Sequence, residues 1–338
     1  MKLSTNLQRL HNRTTYNIWI AVFFLIVLGV GGLIYLATQQ IDYVWRWYRV
    51  PSYFVYKADI QIVAEIEGEV SAITEEEGDA YTIRITNDDG TAESYHAAAD
   101  SEIFVSEGDM IYPGDTLAVF QRWKPGIMLQ GLWMTLKVSL YAIFLGILIG
   151  LIGGIARMSS NPALKWTAIA YVELIRGSPL LVQIFIWYFV LGTLVNTMLS
   201  SRGFSQISPL WSGVAALAFF TGAYVTEIVR AGIQSIHKGQ IEASRSLGMS
   251  YGQSMRYVVL PQAMRRILPP LAGQFISLIK DSSLLGIIAV RELTKATREV
   301  ITTSLQPFEL YFTCALLYLL LTFTLSMAVQ YMERRMSL

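Results

Sequence analysis

Six stretches of this chain are apolar over about 20 residues or more, the length needed to cross the hydrocarbon core of a bilayer as a helix. They lie at residues 18–37, 131–156, 166–194, 210–229, 268–290 and 309–332. Between the first two the pattern changes from continuous to period two. Tyr81, Ile83 and Ile85 alternate with Thr82, Arg84 and Thr86, the mark of a half-buried strand. Asn87-Asp88-Asp89-Gly90 supplies hairpin turn chemistry, and Glu107-Gly108-Asp109 and Pro113-Gly114-Asp115 mark further turns. The pattern therefore predicts an all-α polytopic membrane protein of about six transmembrane helices, with a small all-β insert at 57–120. Around it lie a polar N-terminus (1–17), an anchor (18–37) and a main transmembrane domain (126–335). The first span could also be read as a signal peptide. Its core is span-length, however, and Ala37-Thr38-Gln39 makes a poor cleavage site, which favours an uncleaved anchor.

Composition agrees with the pattern. Of 338 residues, 53% are hydrophobic and 15% charged, and the mean hydropathy is +0.44, too apolar for a soluble globule of this size. The net charge of +1 conceals a segregation. Residues 57–120 hold 16 acidic residues against two basic ones, Lys57 and Arg84, while the rest of the chain is strongly basic. By the positive-inside rule, Lys2, Arg9 and Arg13 put the N-terminus in the cytoplasm. Six crossings then place Arg157–Lys165, the loop 230–266 and Arg334-Arg335 inside as well. The acidic insert and the loop 291–308 fall outside. This is the layout of a multi-pass protein of a plasma or inner membrane. Glu75-Glu76-Glu77 could attract cations, but a run of adjacent acids is more often a solvated face. The insert itself reads equally well as a contact surface for an exported partner or as an acidic spacer.

Several chemistries are excluded. No lysine follows a glycine, so there is no Walker A loop, and any ATPase must be a separate subunit. H-E-x-x-H is missing, and a single cysteine, Cys314, permits neither an internal disulfide nor a cysteine metal site; it reads as a small core residue. No catalytic, metal or nucleic-acid site is expected. Gly248-Met249-Ser250-Tyr251-Gly252 fits G-x-S-x-G, but no strand precedes the serine and no histidine follows it, so the match is accidental.

The loop 230–266 carries Arg230, Lys238, Arg245, Arg256, Arg265 and Arg266 against one acid, Glu242. Gly239 to Gly248 within it reads as a short helix with Gly248 as a positive-φ cap. A second helical segment from Arg256 onward should be stopped or kinked at Pro261 and at Pro269-Pro270. Lys280 and Asp281 fall inside a span, where ionised groups are expensive and usually functional. With Ser282 and Ser283 they are candidates for a pathway or gate. Glu173 and Arg176, i,i+3 in the third span, are expected to form a structural pair. Gly146, Gly150 and Gly154 form a small-residue ridge for helix packing.

The run from Glu227 through Arg230, Gly239, Gln240, Glu242, Ala243, Ser246 and Leu247 to Gly248, continued by Leu260-Pro261-Gln262-Ala263, resembles the signature loop of ABC importer permeases. Three further matches resemble the polar amino-acid (histidine/glutamine/arginine-type) branch. They are Gly131-x-x-x-Thr135-Leu136, Arg176-Gly177-Ser178-Pro179-Leu180-Leu181 and Lys280-Asp281-Ser282-Ser283-Leu284, and the likeness extends over about 125–335. The resemblance implies a type I importer permease fold. Its loop would dock on a cytoplasmic ATPase dimer through Glu242, Ala243 and Gly248. It further implies a second permease subunit and an exported amino-acid-binding protein. ATP and magnesium would be held by the ATPase and no cofactor by this chain. The extra first span and the insert depart from that family, whose members begin near the Gly131 motif. The segment Val105–Ala118 resembles the end of a lipoyl-type barrel-sandwich domain, but no lysine stands at the Asn87–Gly90 turn to carry a swinging arm. Two alternatives are a membrane-anchored adaptor built around the lipoyl-like insert and a secondary transporter.

Overall fold

The computed structural model describes residues 2–76, 80–87 and 89–336. Of the positions singled out above, Glu77 and Asp88 lie outside the described residues, as do the side chains of Lys2, Arg9, Arg13 and Glu76. The chain divides into two units, 1–47 and 48–338. The first unit is helix α1 (Lys2–Gln40), whose stretch Thr15–Gln40 is apolar and long enough to cross a membrane. The chain leaves the helix through an aromatic run. Trp45 donates its indole N–H to Thr38 Oγ1 (3.2 Å) and stacks on Trp47 with ring centroids 5.7 Å apart. Aromatic residues of this kind favour the membrane–water boundary.

The second unit opens with the insert, two small sheets around one core. One has the order β1-β7-β5 and the other β4-β3-β2-β6. The strands are β1 (Val55–Val63), β2 (Gly68–Glu76), β3 (Ala80–Thr86), β4 (Ala92–Ala97), β5 (Glu102–Ile103), β6 (Met110–Ile111) and β7 (Thr116–Pro125). Ile83, Ile85, Val70 and Leu117 are fully buried between the sheets, so the alternation in β3 faces the core as its sequence requires. Thr82, on the opposite phase, is also buried, and its hydroxyl pairs with His96 Nδ1 at 2.8 Å. Asp109 and Asp115 each close a turn by accepting the backbone N–H three residues back, from Ser106 (2.7 Å) and Tyr112 (2.8 Å). The long β1–β7 pair returns the chain to the membrane domain beside its starting point: Val55 pairs with Pro125.

The membrane domain is organised on α2 (Ile127–Arg157) and α6 (Pro209–Gln234), which run parallel in close contact. A Cβ on Gly146 would meet the Thr221 side chain, one on Gly150 the Val225 side chain at 2.4 Å, and one on Gly154 the Val229 side chain. Equal steps of four on both helices are the signature of parallel helices packed along a glycine ridge, as expected from the sequence. Connecting them are α3 (Pro162–Arg176), α4 (Leu180–Phe185) and α5 (Thr193–Ser200), with a π-helical turn Ile186–Gly192 joining α4 to α5.

The third span expected at 166–194 is not one helix. Gly177-Ser178-Pro179 breaks it, because a proline disfavours helix at the residue before it. Gln183 seals the break by donating to Ile175 O (2.7 Å) and Ser178 Oγ (2.9 Å). The 15-residue α3 is only about 22 Å long, and the stretch able to cross is Leu180–Ser200.

Beyond the loop after α6 come α7 (Lys238–Ser246), α8 (Tyr251–Ser254), a π-helical turn (Met255–Val259) and α9 (Leu260–Asp281). Of the stop or kink expected at Pro261, the stop does not occur, and a π-helical turn lies directly before it. Pro261 sits in the first turn of α9, directly after the π-turn, where a missing N–H is tolerated, and Pro269 and Pro270 stand inside a helix that runs on to Asp281. A 3-10 turn, Ser282–Ile288, leads to α10 (Leu293–Ser304) and then α11 (Pro307–Met336).

Helix α10 was not expected from the sequence. The buried Glu292 caps it, accepting from Thr294 N and Lys295 N (2.7 Å each) and from the Tyr318 hydroxyl (3.0 Å). Burial pushes this carboxyl up from the ordinary glutamate range, against those three hydrogen bonds. The Gly131–Thr135 motif locks the cap from the other side. Thr135 Oγ1 accepts from Leu293 N at 3.0 Å and donates to Gly131 O. Cys314 is buried in the same cluster with Met128 and Leu293, packed by Tyr53 and Phe54, so the insert and α10 share one end of the bundle.

The ridge makes a stability prediction. Gly150→Val should lower the stability of the purified protein by about 1–3 kcal/mol, read as a drop in thermal unfolding midpoint; an unchanged midpoint would show that α2 and α6 are not held by this contact.

Candidate functional site

The end of the bundle opposite the insert carries the loop helix α7. His237 caps it, its Nδ1 accepting from Gly239 N at 3.1 Å. Gly248 closes it in the left-handed region at φ +83, donating to Arg245 O, while Met249 N reaches back to Ser244 O. A side chain at Gly248 would strain that conformation by about 1–2 kcal/mol, which is why the predicted glycine stands there. Ser244 alone of this helix is buried, and its hydroxyl pairs closely with that of the buried Ser254 at the end of α8. This contact fixes α7 on the base of α9.

Ile241 packs on the core beside Ser244, and Gln240 accepts from Gln262 Nε2 at 3.4 Å, while the outer face of α7 is exposed. Gln240, Glu242, Ala243 and Ser246 are exposed, Gly239 half-buried, and Leu247 is 81% exposed. Leu247 is the C-terminal cap residue of α7, so its exposed side chain stands at the end of a helix capped on both sides. Ser250 has a structural duty of its own. It forms a capping box with Gln253, accepting from Gln253 N at 3.3 Å while Gln253 Oε1 accepts from Ser250 N at 2.8 Å. The G-x-S-x-G match is a helix start.

Behind α7, Glu227 of α6 joins two elements. Its Oε1 lies 2.6 Å from Arg157 Nη1 at the end of α2, an ion pair without aligned hydrogen-bond geometry. Its Oε2 accepts from Arg230 Nη2 at 2.8 Å and Nε at 3.1 Å. Arg157 and Glu227 have side chains only 18% exposed, so this pair is screened less than a surface bridge. The i,i+3 spacing of Glu227 and Arg230 is visible in sequence; the partnership with Arg157, 70 residues away, is not. On the other flank Arg266 of α9 donates to Ser235 O at 2.5 Å and ties α9 to the end of α6.

The expected Glu173–Arg176 pair is not formed among the described residues. The Arg176 guanidinium instead lies over the Tyr224 ring of α6, 5.2 Å from its centroid, a cation–π contact that replaces the carboxylate. Lys280 is exposed and Asp281 half-buried at the end of α9, and neither joins an ion pair among the described residues. Ser283 is half-buried beside them. Ser282 must be withdrawn from the pathway candidates. It is fully buried and its hydroxyl donates to Ile279 O at 2.8 Å, a back-bond that ends the helix.

Residues 142–338 match the family model described as "binding-protein-dependent transport system inner membrane component", leaving α1 and the insert outside it. The chain is 39% identical over 208 residues to the probable glutamine ABC transporter permease protein GlnM of Bacillus subtilis, covering 62% of this chain and 92% of that protein. It is 38% identical over 212 residues to the glutamine transport system permease protein GlnP of Escherichia coli K12, covering 63% and 94%. Among solved structures, a chain of an amino acid ABC transporter with histidines superposes with a TM-score of 0.55 at 40% identity, over 62% of this chain and 94% of that one.

The Arg157–Glu227 contact can be weighed directly. A double-mutant cycle with Arg157→Ala and Glu227→Ala, followed by thermal unfolding, should return a coupling of about 1–3 kcal/mol, and a coupling near zero would reduce the bridge to coincidence.

Proposed function

The chain belongs to the family of binding-protein-dependent transport system inner membrane components, and from that premise we propose how it works. It is a permease subunit of an ATP-binding-cassette importer, and its cargo is a polar amino acid, in keeping with the glutamine permeases it resembles. The observation that carries the reading is α7, a nine-residue helix capped at both ends that holds Glu242, Ala243 and the 81% exposed Leu247 outward.

In this reading α7 seats in a cleft of a separate cytoplasmic ATPase. ATP and magnesium belong to that ATPase, because this chain has no Walker A loop. The orientation follows the distribution of cations: both termini, α7 and Arg157–Lys165 face the cytoplasm, and the insert and α10 face the outside. A binding protein delivers the amino acid there. A second permease subunit, this chain or a relative, completes the pathway.

In this reading the helices that follow α7 act as a lever for the coupling. Helix runs from Tyr251, beside the Ser244–Ser254 contact, to Asp281, about 45 Å of nearly continuous rod. A push on α7 therefore reaches Lys280 and Asp281 directly. Those two opposite charges have no ion partner among the described residues and lie in a membrane-crossing segment, where such groups line pathways or gates. A zwitterion passing them would present one complementary charge to each. A second route runs through Glu227, which links α6 to α2 at Arg157. An adaptor has no use for six candidate spans, nor a secondary transporter for a docking helix.

Reconstitution with the ATPase and a loaded binding protein tests both assignments. Glu242→Lys should cut stimulated hydrolysis and uptake at least about tenfold, equivalent to 1.4 kcal/mol of lost docking; full activity in that variant would sink the docking role. Lys280→Ala should abolish uptake while the ATPase still binds, and uptake at the wild-type rate would remove Lys280 from the pathway.

A further inference from the structure

The end of the bundle that carries α7 also holds a cleft of about 430 Å³ between the last turns of α2 and α6 and the first turns of α3. Arg157, Ser159, Lys165, Arg230 and Gln234 line its polar side, and Met158 and Ile169 its apolar side. Three cations face this space. Arg157 and Arg230 share the single carboxylate of Glu227, which leaves one positive charge between them. Lys165 has no acidic partner among the described residues and adds a second. The Ser159 hydroxyl accepts from Asn161 N at 3.1 Å, so its own proton is free to donate.

The cleft thus offers two uncompensated charges and a hydroxyl donor, the chemistry that recognises a phosphate. Its surroundings are those of a lipid-facing surface. Met158 and Ile169 form its apolar wall, and Trp166 (67% exposed), next to Lys165, stands where an indole marks the headgroup level. A soluble phosphate compound would gain nothing from that apolar margin; acyl chains would cover it.

We propose that this cleft binds the headgroup phosphate of an anionic phospholipid, with Lys165 closing over it and Arg157 and Arg230 forming its floor. The inference rests on the membrane-spanning reading but not on α7 docking or on the identity of the cargo. Because Arg157 and Arg230 are also the partners of Glu227, a lipid seated here touches the joint between α2 and α6.

The test uses the full chain in mild detergent and native mass spectrometry with phosphatidylglycerol or phosphatidylcholine of matched acyl chains. Phosphatidylglycerol should be retained in preference to phosphatidylcholine, and Lys165→Ala should weaken it roughly fivefold, the effect of one basic residue near a headgroup. Lys165 is exposed, so the variant should fold; its unfolding midpoint verifies this, and Lys165→Arg should retain the lipid. Equal retention of the two lipids, or no effect of Lys165→Ala, overturns the proposal. Displacement of phosphatidylglycerol by millimolar inorganic phosphate would also overturn it, assigning the cleft to a free anion. Glu242→Lys should leave lipid retention unchanged, which separates a failure here from a failure of the docking reading.

Discussion

The parallel contact between α2 and α6 is the constraint on which the membrane domain depends. In a bilayer, apolar burial does not drive helices together, so close backbone approach and dispersion must do so. Gly146, Gly150 and Gly154 permit that approach, and Thr221, Val225 and Val229 fill it. Once the two helices are in register, their ends are fixed as well. At one end Thr135 meets the N–H of Leu293 and helps hold the cap of α10. At the other, Arg157 arrives beside Glu227. A single packing register thus assembles both faces of the protein.

The two ends differ in how they treat charge. At the insert end the acidic Glu292 is buried and satisfied by two backbone N–H groups and a tyrosine hydroxyl, so it stabilises structure and offers nothing to a partner. At the opposite end, cations outnumber acids and several remain open to solvent. Glu242 is the one acid of the loop and it lies on the exposed face of α7. Buried polar contacts such as Ser244–Ser254 hold that helix from behind, leaving its outer face free.

The insert follows different rules. Its core is conventional for a small sandwich, and its long β1–β7 pair ties both chain ends to one point above the bundle. Because Val55 and Pro125 are paired, the module can be carried as a unit without disturbing α2. This explains physically how a domain outside the family model is tolerated between two spans.

Much of this was legible in the sequence. Run length and period separated six spans from the β module, and the glycines foretold a close-packing ridge on α2 and the cap at Gly248. The loop motif pointed to the family and to the exposed face of α7. These features depend on composition or on residues close in sequence, where the backbone alone dictates who meets whom. What the tertiary structure decided were choices between near-equal local options. Arg176 could pair with Glu173 or stack on Tyr224, and the position of α6 chose the ring. Ser282 could face a pathway or bond its own helix, and burial chose the backbone. The apolar run at 166–194 read as one helix until Gln183 folded back to close the break at Pro179. Arg157 found Glu227 only because α2 and α6 lie side by side. In each case the deciding partner is remote in sequence or buried, and only packing sets its distance.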